Sequence, residues 1–433
     1  MLPRLSLALL LVSTTIFALC LIPVITGRSR LTVSAVPLAG ALATVLIGIS
    51  TQQTVLDVLL IVWNPTLTLV AMIIFSLVLD QAGFFRYIAI RLGIRSGGSL
   101  ISLFLILVSL TALISAIFAN DGAVLIMTPI TVAFLREIRA TRKVSVAFLI
   151  SVGFISDTGS IPFLISNLVN ILTAGYFGID FLEYAARLLL PGVSASLLSI
   201  VVLYIFFRRE LKGSFPVDSL GPPESAIKDS LIVRSGIPAT AVMIFAYALT
   251  SSFGFPIAIV ALPFSLVFLV VAILRKNIAA GRVLRSAPWH IVLLSLGLYV
   301  ILFGMADEGL SSYLLELLTI GSGNSVLQSV FVSGFIFALL ASAMNNMPSV
   351  MLGDLTLRGS GKSFLLVPVN IISNDVGPKM TPIGSLATLL WFHRIDQEGM
   401  QPITYREYMR MGIPLTVPVL MGTLFVYWLT VML

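Results

Sequence analysis

The sequence predicts an all-α polytopic membrane protein made of two inverted repeats. Each repeat is expected to hold five spans, one re-entrant hairpin and one broken transmembrane helix, giving about ten spans and two hairpins in total. The first observation behind this is composition, since the 433 residues are 58% hydrophobic and 10% charged, with a mean hydropathy of +1.07. Soluble domains do not have that balance. The other two observations are an internal repeat and long apolar runs interrupted by polar residues.

An internal repeat relates the two halves of the chain. An offset of 226 residues relates three pairs of residues: Trp63 and Trp289, Gly83 and Gly309, and Asn120 and Asn346. Further on, Asp157 corresponds to Asp375 at an offset of 218, so the second copy is shorter in between. A repeat with polar residues in matching apolar segments is typical of secondary transporters.

The apolar runs predict where the transmembrane helices lie. Spans are expected near residues 5–26, 31–49, 61–81, 144–175, 187–207, 236–252, 257–274, 289–306, 364–391 and 411–432. Two further apolar stretches, 99–135 and 321–357, are too long for one ordinary helix and carry Asn-rich interruptions. The first run is interpreted as a retained span and not as a signal peptide, because Cys20 lacks the small preceding residue of a lipoprotein cleavage site.

Lys and Arg set the predicted orientation, because cytoplasmic loops are enriched in them. The loops on both sides of 99–135 are basic, so this stretch enters and leaves on the cytoplasmic side as a hairpin with its tip near Asn120. The same logic makes 321–357 a hairpin from the opposite face, with its tip near Asn346. Of the 26 Lys and Arg residues, those expected outside are Arg4, Arg187, Arg358 and Lys362. An odd number of spans per copy inverts the second copy and places both termini outside.

The predicted organisation therefore has three parts. The first inverted repeat covers residues 1–207, and its broken helix covers about 144–175. The second covers 236–433, and its broken helix covers about 364–391. Residues 208–235 between them contain several Pro and Gly residues and no strong apolar pattern, which predicts a cytoplasmic tether.

The two hairpin tips and the two broken helices predict the functional site. Backbone groups cannot stay unpaired in lipid, so broken helices occur only where protein or a wet cavity surrounds them. Gly and Pro interrupt the apolar runs at residues 156–162 and 374–382. We expect these two breaks and the two tips to converge at the bilayer midplane and form one site.

Ionisable residues fall at these breaks, where an unpaired charge is costly. They are Asp121, Asp157, Asp375 and Lys379. Lys379 corresponds to Ile161 in the first copy, so it breaks the symmetry and is expected to neutralise Asp375 or to exchange a proton with it. A structural alternative remains open for three of them: Asp157 and Asp375 could cap the broken helices, and Lys379 could be a salt-bridge partner only. The other acidic residues near span or hairpin ends are expected to be solvated: Asp57, Asp80 and Asp354.

Several function classes are excluded. The single cysteine, Cys20, rules out internal disulfides and a multi-thiolate metal site made by this chain alone, and no cofactor is expected. Residues 359–363 resemble the end of a phosphate-binding loop, but Thr356 stands where the pattern requires Gly. The chain is therefore expected to have no ATP site and no enzymatic activity, and its composition gives no reason to expect nucleic acid as a partner.

Several motifs resemble those of a known family. They lie at residues 118–123, 128–130, 165–170, 343–348 and 377–391. They closely resemble the bacterial arsenical pump membrane proteins, which are arsenite and antimonite efflux permeases of the ion transporter superfamily. The resemblance implies export of trivalent arsenic and antimony across the bacterial inner membrane by proton antiport. In some family members a separate cytoplasmic ATPase takes part.

The chemistry of the breaks agrees with that substrate. Arsenous acid is a neutral trihydroxide near neutral pH, so it needs hydrogen-bond donors and acceptors and no countercharge. The expected substrate-binding residues are Asn120, Asn345, Asn346, Thr381, Ser385, Ser166 and Asn167. The expected proton-coupling residues are Asp121, Asp375, Lys379 and Asp157. Two alternatives stay open: a proton- or sodium-coupled carrier of a small anion that pairs with Lys379, and a passive channel subunit energised by a soluble ATPase.

Overall fold

A computed structural model describes residues 2–26, 30–251, 253–278, 281, 283, 289–323 and 325–433. The first half contains α1 (Leu2–Ile25), α2 (Arg30–Ile47), α3 (Gln52–Gln81), α4 (Phe84–Ile94), α5 (Leu100–Phe118), α6 (Asn120–Glu137), α7 (Arg142–Thr158), α8 (Leu168–Phe177) and α9 (Phe181–Phe207). The second half contains α10 (Ser230–Ser251), α11 (Ala258–Arg275), α12 (Trp289–Asp307), α13 (Leu310–Ser322), α14 (Val326–Met344), α15 (Asn346–Leu357), α16 (Ser363–Val376), α17 (Leu386–Gln397) and α18 (Tyr405–Met432). The only β pairing in these ranges is one isolated bridge between Ser99 and Ser214.

The helices confirm a polytopic all-α membrane protein. Seven described helices, namely α3, α5, α9, α10, α11, α14 and α18, are long and apolar enough to cross a bilayer. An eighth span results if α12 and α13, which meet at an angle of 71°, are counted together. Three further apolar stretches are shorter, namely Leu7–Pro23 within α1, Leu31–Ile47 within α2, and Leu168–Phe177, which is α8. The number of spans therefore depends on how the short and broken helices are counted.

Helices are interrupted at all four positions where breaks were expected. Helices α5 and α6 meet at Ala119, and α14 and α15 meet at Asn345. Nine residues lie between the end of α7 at Thr158 and the start of α8 at Leu168, and they include a 3₁₀ turn at Leu164–Ser166. Helix α16 passes into a 3₁₀ turn at Gly377–Met380 before α17 begins. Proline and glycine in both intervals explain the interruption, because proline removes a backbone donor and clashes with the preceding turn.

Helix contacts between the two halves come in matched pairs. Helix α2 packs on α12, and α3 packs on α11. Helix α6 packs on α17 while α8 packs on α15, and α9 packs on α18. Close approaches are matched as well: a Cβ on Gly159 would lie 3.0 Å from the Cα of Ala112, and one on Gly377 would lie 2.5 Å from the Cα of Ala338. The four breaks thus meet near the centre of the molecule.

The segment between the halves is not a free tether. The amide of Phe215 donates to the carbonyl of Gly98 at 2.8 Å, and Phe215 and Leu220 are buried. Asp229 is buried and accepts hydrogen bonds from Arg275 Nε at 2.6 Å and from the amides that begin α10. The anchoring residues are irregularly spaced, so they give no periodic signal in the sequence, and packing against both halves holds the segment in place.

Candidate substrate and proton site

A buried ion pair joins the two halves at the centre of the molecule. The Lys379 Nζ lies 2.7 Å from Asp157 Oδ2, and both side chains are fully buried. Asp157 Oδ1 accepts a hydrogen bond of 2.8 Å from Asn120 Nδ2, and Lys379 Nζ donates to Thr388 Oγ1 at 2.9 Å. Asp157 lies in the last turn of α7, while Lys379 lies in the 3₁₀ turn after α16. The pair therefore holds the two broken helices together and neutralises one carboxylate.

Asp375 is the second buried carboxylate at the breaks, and no cation of the described residues lies within ion-pair distance of it. Asn167 Nδ2 donates to Asp375 Oδ1 at 2.6 Å, while Asp375 Oδ2 has no hydrogen-bond partner among the described residues. The expectation that Lys379 would neutralise Asp375 is therefore wrong. The reason is geometric, since Asp375 lies in the last turn of α16 and the Lys379 ammonium in the following 3₁₀ turn contacts Asp157 instead.

Asp121 is the third acidic residue of the cluster. It lies in the first turn of α6 and is buried. It interacts electrostatically with Asp157 and Lys379, and Asp375 interacts with Asp157. Among the described residues, Lys379 is the one cation that pairs with Asp157 and interacts with Asp121, and Asp375 has no such contact, so ionisation of all three carboxylates would leave negative charge uncompensated in the membrane interior. Such a cluster favours binding protons.

Several expected substrate-binding side chains are bonded to backbone groups. Asn345 Nδ2 donates to the Ile383 carbonyl at 3.0 Å, and Thr381 Oγ1 donates to the Ser342 carbonyl at 2.6 Å. These contacts join the second tip to the second broken helix. The backbone amide of Asn346 adds to this junction by donating to the Gly384 carbonyl at 2.7 Å.

Three further residues of the expected substrate-binding set, Ser166, Asn167 and Ser385, form hydrogen bonds with backbone groups at the broken helices. Asn167 caps α8 by accepting from the amide of Val169 at 3.2 Å, and Ser385 caps α17 by accepting from the amide of Ala387 at 3.1 Å. Ser166 Oγ donates to the carbonyls of Ser160 and Phe163. Asn167 and Ser385 are related by the offset of 218, so both copies cap the resumed helix at the same position.

Unpartnered acceptors remain at the breaks. In the described part of the chain, six buried side-chain oxygens in and beside the broken segments and tips have neither a hydrogen bond nor an ion pair: Asn120 Oδ1, Asn170 Oδ1, Asn374 Oδ1, Asp375 Oδ2, Ser349 Oγ and Ser373 Oγ. Buried polar groups are normally paired, so unpaired ones in a cluster indicate a place where a ligand or water can bind. The amide and carboxylate oxygens are acceptors, so a ligand with hydroxyl or amine donors fits them, and the two serine hydroxyls can donate or accept.

Both hairpin tips contain a residue in an unusual backbone conformation. Ala119 has φ 99° and Asn345 has φ 78°, and both have extended ψ values. The two positions are related by the offset of 226. Residues with a side chain are strained in this region, and such strain occurs at functional sites where surrounding contacts enforce it.

The sequence of this chain is similar to those of known membrane proteins. A family model described as "Arsenical pump membrane protein" matches residues 12–431. The chain belongs to the arsenical pump membrane protein family. A relative of that name from Yersinia enterocolitica is 41% identical over 368 residues, which cover 84% of this chain and 86% of the relative. Another from Escherichia coli is 38% identical over 419 residues, which cover 96% and 97%. The resemblance inferred from the sequence motifs is confirmed.

A solved structure shares the fold of this family member. The YdaH transporter of Alcanivorax borkumensis matches with a TM-score of 0.56 and 15% sequence identity, over 90% of this chain and 88% of that chain. At this identity the likeness concerns the fold alone.

Sequence reasoning misplaced one acidic residue of this family member. Asp354 was expected to be solvated because it lies near the end of the second hairpin, and that expectation is wrong. It is fully buried, with Thr173 Oγ1 donating to its Oδ2 at 2.8 Å and Asn370 Nδ2 donating to its Oδ1 at 2.9 Å. Asp57 and Asp80 are partly exposed. Helices α8 and α16 cover Asp354, and this packing cannot be seen from its position in the chain.

The sequence analysis also missed residues that support the site. Thr388 accepts from Lys379, and Ser342 donates to the Gly377 carbonyl at 2.8 Å. Trp391 is fully buried, and its Nε1 donates to the Leu149 carbonyl at 3.0 Å. Thr388 and Trp391 lie within the motif at residues 377–391, so the motif marked their region, but only the structure gives their partners.

Proposed function

We propose that this chain exports arsenite and antimonite from the cytoplasm as neutral trihydroxides, in exchange for protons, by alternating access. The observation that carries the proposal is the central cluster, in which three buried carboxylates lie beside unpartnered acceptors and two of them, Asp157 and Asp121, interact with the Lys379 ammonium. The family supports the arsenical substrate. The cluster supports a proton as the coupling ion.

The donor and acceptor pattern favours a neutral hydroxylated substrate over an anion. Arsenous acid presents three O–H donors, and the acceptors Asn120 Oδ1, Asn374 Oδ1 and Asp375 Oδ2 are without partners. The Lys379 ammonium is already paired with Asp157, so it has little positive charge to offer a small anion. Thiolate binding is not needed in this scheme. Cys20 is buried, and its thiol donates to the Val36 carbonyl of α2 at 3.6 Å, away from the breaks.

Asp375 is the proposed site at which protons and substrate exclude each other. With one neutral donor and no cation, the ionised carboxylate is costly, whereas either a proton or a substrate hydroxyl relieves that cost. Asp121 adds a second carboxylate to the same cluster. Export then requires the inward- and outward-facing states to differ in affinity for protons and substrate. Each proton that enters along the membrane potential contributes about 2.3 kcal/mol per 100 mV.

The matched helix contacts support the inverted-repeat topology. Exchange of the two halves turns the α2–α12 contact into the α3–α11 contact and the α6–α17 contact into the α8–α15 contact. We take residues 99–135 and 321–357 as re-entrant hairpins from opposite faces of the bacterial inner membrane, with both termini outside. Relative movement of the two sets of breaks would then alternate access to the central site.

Uptake of arsenite into everted membrane vesicles tests the proposal. An imposed pH gradient, acid inside, is expected to drive uptake by the wild type and not by Asp375→Asn. Asp57→Asn is the matched control, since Asp57 is partly exposed and accepts only from Gln53 on its own helix. Wild-type uptake that persists after the pH gradient and the potential are both collapsed would contradict proton antiport. Uptake that requires a co-reconstituted ATPase and ATP, but no gradient, would indicate the channel-subunit alternative.

A further inference from the structure

A buried acidic residue lies outside the central cluster. Asp354 is in α15, two helical turns beyond the second hairpin tip, and both of its carboxylate oxygens accept from neutral donors, Thr173 and Asn370. Among the described residues it has no partner within ion-pair distance. Tyr299 of α12 interacts electrostatically with it, and in the described part of the chain the Tyr299 hydroxyl has no hydrogen-bond partner. An ionised Asp354 without a cation is costly in this position, so the carboxylate is suited to take up a proton.

Hydrogen-bonded side chains connect Asp354 with the central cluster. Asn370 donates to Asp354, and the Asn370 Oδ1 accepts from Asn374 Nδ2 at 2.8 Å. Asn370 and Asn374 are one turn apart on α16, and Asp375 follows directly. The oxygens Asn374 Oδ1 and Asp375 Oδ2 at the inner end are unpartnered. A row of buried, hydrogen-bonded polar groups thus extends from Asp354 of α15 through Asn370 to Asn374 of α16, one residue before Asp375.

The other end of this row approaches a surface cleft. Tyr176 lies one turn beyond Thr173 on α8 and interacts electrostatically with Asp354. Its hydroxyl accepts from Arg358 Nη1 at 3.3 Å, and the guanidinium lies 5.0 Å above its ring. Tyr176 and Arg358 line a cleft of about 250 Å³. In the proposed topology this cleft is on the outer face, because Arg358 lies in an outer loop.

At the repeat-related positions of the other copy, the acid, the side-chain amide and the threonine of this row are each replaced by another residue. The offset of 226 places Thr128 opposite Asp354, and the offset of 218 places Val152 opposite Asn370 and Trp391 opposite Thr173. The polar row therefore exists on one side of the pseudo-symmetric core only. An exporter driven by proton entry needs a proton route from the outer face to the centre, and that is the side on which the row lies.

We propose that Asp354 is an outer proton-loading residue, which takes a proton from the cleft at Arg358 and Tyr176 and delivers it to Asp375. An O–H bond breaks at Asp354 as one forms at Asp375, and water that enters beside Asn370 and Asn374 carries the proton between the two carboxylates. The total charge is unchanged by this transfer. The inference rests on the proposed proton antiport.

Two transport modes separate this role from a structural one. Gradient-driven uptake into everted vesicles requires net proton movement, whereas exchange of labelled for unlabelled arsenite at equal pH does not. Asp354→Asn is expected to reduce gradient-driven uptake at least tenfold, because the variant removes one proton-transfer group. Arsenite exchange should stay within about twofold of the wild type, because substrate binding at the centre is untouched. Asp57→Asn should change neither mode.

The outcomes distinguish the two proposals. Loss of both modes in Asp354→Asn would make Asp354 structural, and retention of both would show that it carries no proton; either result overturns the inference. Wild-type vesicles that exchange arsenite without any response to the gradient would overturn proton antiport instead. If Asp354→Asn does not reach the membrane, Thr173→Val keeps the acid and removes one donor. It should then shift the dependence of gradient-driven uptake on lumenal pH but leave exchange unchanged, and an unshifted dependence would contradict the inference.

Discussion

The ammonium of Lys379 is held 2.7 Å from the carboxylate of Asp157, in the opposite half of the chain, and not by Asp375 four residues before it. Lys379 has no counterpart in the first half, where Ile161 occupies the related position. One of two symmetry-related carboxylates is therefore neutralised, while the other keeps a single neutral donor. This asymmetry gives the two carboxylates different surroundings: Asp157 is paired across the two halves, and in the proposed mechanism Asp375 is the one that responds to protons and substrate.

The first prediction concerns the stability contribution of this pair. Lys379→Met leaves Asp157 buried without a cation and should destabilise the protein by about 3–5 kcal/mol, and Asp157→Asn should act similarly by stranding Lys379. The double variant buries no unpaired charge and should recover most of that loss. Thermal unfolding of the purified protein in detergent measures all three. A double variant as unstable as the sum of the singles would contradict the pairing.

The second prediction concerns strain at the first hairpin tip. Ala119→Gly removes the side chain that disfavours φ 99° and should stabilise the protein by about 1 kcal/mol, because relief of strain exceeds the entropy lost by glycine. Ala119→Val should destabilise it by several times that amount. Unfolding temperatures of the two variants test this. A lower unfolding temperature for the glycine variant would show that the tip is not strained.

The third prediction concerns the close approach of the second broken helix to α14. Gly377→Ala would bring a Cβ to 2.5 Å from the Cα of Ala338, so backbone must shift, and a loss of about 1–3 kcal/mol or more is expected. Gly175→Ala is the matched control, because nothing lies within 4 Å of the added carbon and the position is helical. The control should gain up to about 1 kcal/mol. Equal unfolding temperatures for the two variants would contradict the close packing.

The fourth prediction concerns pH and the segment between the halves. Burial pushes the pKa of Asp229 upward, but hydrogen bonds from Arg275, Ile232 and Asn277 outweigh it and hold the pKa below its ordinary value. The stabilisation is therefore complete above the unfolded-state pKa, near pH 4, and is lost as pH falls through the lower folded-state value. At pH 7, Asp229→Asn should lower the free energy of unfolding by about 1–3 kcal/mol.

The measurement for Asp229 is a comparison of unfolding temperatures of the wild type and Asp229→Asn across pH. The difference should be constant between pH 7 and pH 5 and should shrink as the pH falls below about 4. A difference that grows toward acid pH would mean that the carboxylate is not held in its ionised form.

The fifth prediction concerns orientation in the membrane. In a Cys20→Ser background, Ser214→Cys should be cytoplasmic and Ser360→Cys should be external, because the inverted topology places the segment between the halves inside and the α15–α16 loop outside. A membrane-impermeant maleimide applied to intact spheroplasts should label only Ser360→Cys. In everted vesicles it should label only Ser214→Cys. Labelling of both positions from one side would rule out the proposed arrangement of the second hairpin.

Much of the fold could be predicted because its signals are local. Apolar runs mark the spans, and the Gly and Pro residues at 156–162 and 374–382 mark the breaks, since each acts on the backbone around it. The repeat offsets related Asn120 to Asn346 and Asp157 to Asp375 without any structure. The short helices α4 and α13 after the third span of each half were not expected, because Gly83 and Gly309 interrupt the apolar pattern at their starts.

By itself, the sequence determined the membrane class, the family and the positions of the helix breaks, because hydrophobicity and backbone-breaking residues act where they stand in the chain. Only the tertiary structure decided which charges meet: Lys379 with Asp157, Asn167 with Asp375, and Asp354 beneath Thr173 and Asn370. Each of these contacts joins residues from different helical segments. The Lys379–Asp157, Asn167–Asp375 and Thr173–Asp354 contacts also join the two halves of the chain. Partner choice depends on how the helices pack, and a buried charge is satisfied by the nearest group in space, not by the nearest in sequence.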